Sequence, residues 1–188
     1  MTKSDEHLLA CIKRWVWSGY YSVDDINRMF NDVLDASCDE EALREAIGPE
    51  LARKIKAEKN WPSVTDCDRL DSVFCRLHEY GICALGNTGY EISDGYPEVA
   101  EVVANVPTNH YHGYCFYHGQ DVEGALAAQG LWIAFGALDD DERRGVAVGR
   151  TVVDALVEAG FDVAWDGSIS KRISIPKFSW QRRAKPSA

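Results

Sequence analysis

The stretch that most constrains the fold is residues 113–121, which read Gly-Tyr-Cys-Phe-Tyr-His-Gly-Gln-Asp. Its first half is aromatic and apolar, which is typical of a β-strand, and we expect a strand over 114–118. Its second half is a polar turn that ends at Asp121, a residue type favoured as a helix N-cap, so we expect a helix over 122–129. A strand that leads directly into a helix predicts a sheet covered by helices.

The remaining patterns divide the chain at Trp61-Pro62. Before this point apolar residues recur at helical spacing, and in the third helix Gly48-Pro49 predicts an interruption. After it, short apolar runs alternate with helical patterns, which indicates α/β alternation. The predicted strands are residues 82–85, 114–118, 131–135, 161–165 and 172–175, and the helices between them are 66–80, 97–105, 122–129 and 145–159.

The predicted fold class is therefore α+β, with α/β alternation in the C-terminal part. A helical region, residues 1–62, is expected to pack on a sheet domain, residues 63–181. The sheet is mixed, has about five strands and ends in an antiparallel hairpin across the Asp166-Gly167 turn. Residues 182–188 are interpreted as a basic tail.

Composition limits the partners. The 188 residues carry a formal net charge of −10, which disfavours general binding to nucleic-acid phosphates or to an anionic membrane surface. Nucleic acid is therefore an unlikely partner, although the last residues are basic. The six cysteines form no CxxC pair and no run of 18 apolar residues exists, so we expect a cytoplasmic protein that is not inserted in a membrane.

The candidate catalytic residues are His118, Asp121 and Asp94. An aspartate at a helix start could orient an imidazole at a strand end for acid–base work, with the second acid across the sheet edge. The plainer interpretation is that Asp121 only caps its helix, because Asp is a favoured N-cap residue. Period-2 alternation places Cys115 and His118 on opposite faces, which disfavours a Cys/His nucleophile pair.

A metal site is not predicted. His110 and His112 form an HxH pair, but a third ligand at a fixed spacing is missing, and both structural and catalytic zinc need at least three protein ligands. The segment from Gly86 to Gly95 does not match either phosphate-loop pattern. We therefore expect neither a metal nor another cofactor.

A partner-binding surface is the other candidate. Aromatic and polar side chains near turns favour protein contacts, although packing in the core is the alternative interpretation of the aromatic residues. The predicted binding residues are Tyr111, His112, Tyr117, Gln120, Trp165, Asp166 and Arg172.

Several segments together resemble the signatures of a bacterial family of unknown function. They are 65–71, 87–90 with 93–95, the stretch 113–121, 165–167, and Arg172-Ile with 180–183, and the resemblance extends from about Trp15 onward. It implies no activity. Residues 160–167 are also similar to a ferredoxin-like bacterial protein inhibitor of an RNA-degrading endonuclease, which implies only an architecture.

The leading functional hypothesis is a non-catalytic protein-binding or regulatory module, because the polar groups cluster without forming a complete catalytic set. The alternative is a small hydrolase or metal-dependent enzyme that uses His118 and Asp121 with Asp94. A weaker alternative is a nucleic-acid accessory protein that uses the basic C-terminal end. The sequence leaves the oligomeric state open.

Overall fold

The computed structural model describes residues 2–34 and 38–185. The chain forms two compact units. The helical unit comprises Met1–Thr65 and Gln181–Ala188, and the sheet unit comprises Asp66–Trp180. Helices and a mixed sheet are both present, so the α+β class is confirmed.

The helical unit contains α1 (Lys3–Ser18), α2 (Val23–Val33) and α3 (Glu40–Glu58). Both α1 and α2 begin with a capping box, in which a Thr or Ser and an Asp three residues later exchange hydrogen bonds with the backbone of the first turn. The apolar faces of the three helices share one core. Its buried members are Leu8, Ile12, Val16, Ile26, Phe30, Leu43 and Ile47.

The predicted interruption at Gly48-Pro49 is wrong, because α3 is continuous through Pro49. Proline inside a helix removes one hydrogen bond and costs about 3 kcal/mol in isolation. Here the buried face continues on both sides of the proline, with Leu43 and Ile47 before it and Lys54 after it. The helix therefore gains enough tertiary packing to offset the local cost.

The first residues of the predicted basic tail contact the helical unit. Arg182 lies over the ring of Tyr20, with 4.5 Å from its guanidinium carbon to the ring centroid. Arg183 donates to the Pro62 carbonyl at 2.8 Å, and the Ala184 N–H donates to Glu58 at 2.7 Å. These contacts use backbone and ring groups that a sequence pattern does not reveal. Residues 186–188 of the predicted tail lie outside the described residues.

The sheet unit has four helices and four strands in alternation. Strand order is β1-β2-β3-β4, with β1 and β2 parallel and the other two pairs antiparallel. The elements are α4 (Asp66–Glu79), β1 (Ile82–Gly86), α5 (Ile92–Ala104), β2 (Gly113–Tyr117), α6 (Gly119–Leu126), β3 (Leu131–Ala137), α7 (Glu142–Glu158) and β4 (Ile173–Ile175).

Residues 161–165 do not form the expected fifth strand, so the described part of the sheet has four strands. The predicted hairpin reduces to one antiparallel bridge, Ala164 with Ser174. Phe161 instead stacks on Phe178 at 5.8 Å, and the Trp165 indole N–H is held by loop carbonyls. These side-chain contacts draw the segment into a loop. The order of the strands also differs from the ferredoxin-like arrangement that the second resemblance implied.

The two faces of the sheet are covered differently. Tyr117 contacts Phe74 of α4, and Phe135 contacts α7 at Gly149, which identifies the α7 face. Phe116 and its cross-strand partner Ala134 point the other way, toward α5, so we call this side the α5 face. The α5 helix contacts β1 and β2. Trp132, two residues before Ala134 and therefore on the α5 face, is 42% exposed.

Candidate functional site

Two helices begin side by side at the carboxyl ends of the parallel strands β1 and β2. Asp94, the third residue of α5, accepts hydrogen bonds from the N–H groups of Tyr90 and Glu91 at 2.9 and 2.8 Å. Asp121, the third residue of α6, accepts one from the His118 N–H at 3.2 Å. We predicted that Asp121 would be the N-cap. The N-cap is His118, so α6 begins three residues earlier than expected, and α5 begins five residues earlier.

Backbone hydrogen bonds hold the two helix starts together. The Gly119 N–H donates to the Gly89 carbonyl at 3.0 Å, and the Gln120 N–H donates to the Tyr90 carbonyl at 3.0 Å. Gly89 has φ of 53°, and a Cβ there would lie 2.1 Å from the Cβ of Asp94. A glycine is therefore required at this crossing, and the loop after β1 is fixed against the start of α6.

Behind these helix starts, His118, Asp121 and Arg172 form what we call the Asp121 cluster. Arg172 Nη1 donates to Asp121 Oδ1 at 2.8 Å, and His118 Nε2 lies 3.1 Å from Asp121 Oδ2. Because a nitrogen lone pair would repel a carboxylate oxygen at that distance, we assign the proton to Nε2, which donates to Asp121. His118 and Asp121 are buried, and Arg172 is about a third exposed.

The surroundings of His118 keep its ring neutral. Burial is the largest cause that lowers the pKa of His118 from its ordinary 6.5, and the nearby Arg172 guanidinium lowers it too. Asp121, the Tyr90 backbone and Asp94 oppose these effects without reversing them. Hydrogen bonds from the Glu91 and Tyr90 backbone in turn lower the pKa of Asp94.

The lowered pKa of His118 predicts a pH effect on stability. As pH falls below 6.5, the unfolded chain takes up a proton at this residue before the folded chain does. The free energy of unfolding must then decrease with falling pH, down to the folded-state pKa. In His118→Gln, the side-chain amide can donate to Asp121 but does not titrate. We therefore expect its free energy of unfolding, measured with urea, to decrease less between pH 7 and pH 5 than that of the native protein. Equal slopes for the two proteins would contradict the assignment, and His112→Gln, at an exposed histidine, is the matched control.

Next to the Asp121 cluster lies an open groove, the Trp groove, with a volume of about 470 Å³. Trp132 and Trp165 both line it, and the Arg172 guanidinium carbon lies 5.7 Å from the centroid of the Trp132 ring. The lining residues are Gln129, Trp132, Ala164, Trp165, Asp166, Lys171, Arg172, Ser174 and Pro176. This volume is in the range of ligand-binding pockets.

Arg172 connects the buried cluster to the groove. Nη1 is the atom that donates to Asp121, and it lies 3.3 Å from His118 Nε2, whereas Nε and Nη2 have no hydrogen-bond partner among the described residues. The Nε–Nη2 edge of a guanidinium is a planar pair of donors that matches a carboxylate. Lys171 contributes a second positive charge to the lining.

The structure brings some of the predicted residues together and separates others. His118, Asp121 and Arg172 meet in the cluster, and Trp165 and Asp166 line the same groove. Asp94 is close enough to His118 to affect its pKa, but it is exposed and occupied by two N–H donors.

Other predicted residues lie elsewhere. The alternation of side chains along β2 turns Tyr117 toward the α7 face, where it lies between Phe74 and Trp180 and is 1% exposed. It therefore cannot contribute to a partner surface in this conformation. Tyr111 and His112 precede β2, at the end of the strand opposite to His118. Tyr111 is half-buried, and its hydroxyl lies 2.7 Å from His78 Nδ1, whereas His112 is exposed. Gln120 is exposed at the start of α6.

Sequence reasoning missed Trp132 and Lys171. Trp132 stands in the apolar run 131–135, which we predicted as a strand without assigning its side chains to either face, so its exposure was not expected. The available signal was alternation, because Leu131, Ile133 and Phe135 occupy one face and leave Trp132 on the other. Lys171 carried no signal beyond its charge.

The fold and the groove define a protein of the α+β class with an open, positively charged groove that Trp132 and Trp165 line. The chain belongs to the family described as Domain of unknown function (DUF6891), whose model matches residues 1–184. No curated protein and no solved structure matches it. Among the described residues, no helix has the length and apolar character needed to cross a membrane, and no group of three His, Cys, Asp or Glu side chains could hold a metal ion.

Proposed function

We propose that this protein is a non-catalytic binding module that holds a segment of a partner protein in the Trp groove. The observation that carries the proposal is Trp132, a large aromatic side chain left 42% exposed beside a guanidinium with unused donors. Trp and Arg are enriched among residues that dominate binding energy at protein interfaces. A cytoplasmic location is part of this proposal and is supported by the free cysteines.

The geometry supports catalysis by His118 and Asp121 less well. Both oxygens of Asp121 are engaged, by Arg172 and by the backbone and ring of His118. His118 is 3% exposed, so a substrate would need a rearrangement of the loop after β1 to reach its ring. A general base must lie within hydrogen-bonding reach of the proton that it removes.

The basic C-terminal end gives little support to the nucleic-acid alternative. Arg182 and Arg183 are engaged with Tyr20 and with the Pro62 carbonyl, as described above. Contacts of this kind hold the two guanidinium groups on the protein and leave fewer cations for a phosphate backbone.

The test is a selection from a random dodecapeptide library displayed on phage. We expect the native protein to enrich peptides whose affinity falls at least about tenfold with Trp132→Ala, because a hot-spot tryptophan contributes 2 kcal/mol or more. Binding is measured by fluorescence anisotropy on synthesised peptides. Tyr80→Ala is the matched control, since Tyr80 is a 51% exposed aromatic residue outside the groove lining.

Two results would contradict the proposal. The first is a selection that yields no peptide whose binding depends on Trp132. The second is a set of peptides that bind with the same affinity to the native protein and to Trp132→Ala, since they would use another surface.

A further inference from the structure

We propose that the partner segment is recognised by an acidic side chain that binds the Nε–Nη2 edge of Arg172, next to an apolar side chain that packs on Trp132. Asp121 and His118 are positioning residues that fix the guanidinium for this contact. The inference rests on the proposed function, because it specifies the chemistry of a partner in the same groove.

The charge of the groove favours an acidic segment. Lys171 and Arg172 are the cations of its lining, and Asp166 is the acid. The Asp166 carboxylate is turned into its own loop, where it accepts the Ser168 N–H at 2.9 Å. The lining of the groove thus carries a net positive charge on a protein whose net charge is −10, so the local charge there attracts an acidic segment.

Arg172 is held for bidentate recognition. A guanidinium binds two carboxylates when each takes a different edge, and Asp121 uses Nη1 alone. Asp121 is itself fixed, since it accepts the N–H of His118 at the start of α6 and the ring Nε2–H of the same residue. The side chain of Arg172 therefore loses little conformational freedom when a second carboxylate binds, which favours affinity.

The apolar part of the recognition comes from the sheet. Continuing the register of β2 and β3 by two residues places His118 opposite Trp132 on the α5 face, and Arg172 packs over the same indole. The anion-binding edge and the aromatic surface are therefore adjacent. A segment with an acidic residue next to a leucine or an aromatic residue satisfies both.

Single-stranded RNA is the other polymer with anions and planar groups that stack on tryptophan. Two cations in the lining are few for a phosphate backbone, because sequence-independent binding neutralises several phosphates. The protein segment is therefore the occupant that the observations favour, and RNA is one outcome of the test.

The experiment compares each selected acidic peptide with its amide analogue, Asp to Asn or Glu to Gln, on native protein and variants. For the native protein we expect the acid to bind about tenfold more tightly than the amide, because a charge-assisted, bidentate pair of hydrogen bonds is stronger than a neutral one. Arg172→Gln should bind acid and amide alike. Arg172→Lys, which keeps the charge but not the planar edge, and Asp121→Asn should keep only part of the preference. Arg143→Gln, an exposed arginine outside the groove lining, is the control and should keep it fully.

The outcomes separate the two proposals. Trp132-dependent peptides that bind equally well as acid and amide would overturn the acidic recognition and leave the proposed function standing. If Asp121→Asn kept the full preference for the acidic peptide, Asp121 would not position Arg172. A change in fold alone would weaken the binding of the acidic peptide and of its amide analogue equally, so it would leave the preference unchanged. An absence of Trp132-dependent peptides would overturn both proposals. A labelled oligouridylate that binds more tightly than the peptides and depends on Trp132 and Arg172 would replace the protein segment with RNA.

Discussion

Replacement of Asp121 with alanine is expected to lower the free energy of unfolding of the sheet unit by about 3 kcal/mol. The change leaves the buried ring of His118 without its acceptor and the guanidinium of Arg172 without its carboxylate. It also removes the acceptor for the backbone N–H of His118, the N-cap of α6. The figure is at the lower end for a broken buried ion pair, because Arg172 is partly exposed and water can hydrate it.

Asp94→Ala provides the matched control for Asp121→Ala. Asp94 has the same position in α5, accepts backbone N–H groups in the same way and is exposed. Its removal tests only what a carboxylate at a helix start contributes to stability, and it should lower the free energy of unfolding by about 1 kcal/mol. Urea unfolding followed by circular dichroism measures both variants. Equal losses would contradict the account, because the Arg172 and His118 contacts would then add nothing.

Replacement of Trp180 with alanine is expected to lower the free energy of unfolding of the sheet unit by about 4 kcal/mol, as for other buried aromatic residues. Trp180 is 7% exposed and packs against the rings of Tyr117 and Phe178 at 6.0 and 5.8 Å. Trp180, two residues before the predicted tail, is therefore a core residue, and its loss leaves a cavity on the α7 face. Thermal and urea unfolding provide the measurement.

Trp132→Ala removes the same side chain from an exposed site and is the control for Trp180→Ala. It should cost no more than about 1 kcal/mol, through loss of its contact with Arg172. A large decrease in the free energy of unfolding for Trp132→Ala, or a small decrease for Trp180→Ala, would contradict the assignment of Trp132 to the groove and of Trp180 to the core.

The strand at the centre of the sheet could be predicted because its signals are local. Aromatic residues in alternation, followed by glycine and an acid, placed β2 within one residue at each end. The same signals placed His118 and Asp121 near each other. They did not show that His118 would be the helix cap, because His is not a usual residue at that position.

The position of Arg172 beside the last strand could be predicted from local signals, but its contact with Asp121 could not. Sequence reasoning placed it at the start of the last strand, and it lies one residue before β4. Its contact with Asp121 spans 51 positions in the sequence and depends on the pairing of β3 with β4. We had paired the last strand with residues 161–165, so the groove beside Trp132 could not be predicted. Long-range pairing is decided by which side chains pack together, as Phe161 does with Phe178.

The most direct test of the proposed groove is a titration of the native protein with a selected acidic peptide, followed by the indole N–H signals of its tryptophans in a ¹⁵N–¹H correlation spectrum. The account predicts that the signals of Trp132 and Trp165 move with the dissociation constant measured by anisotropy, while those of Trp15, Trp17 and Trp61 in the helical unit stay in place. Shifts confined to the tryptophans of the helical unit, with Trp132 and Trp165 unchanged at saturation, would contradict it.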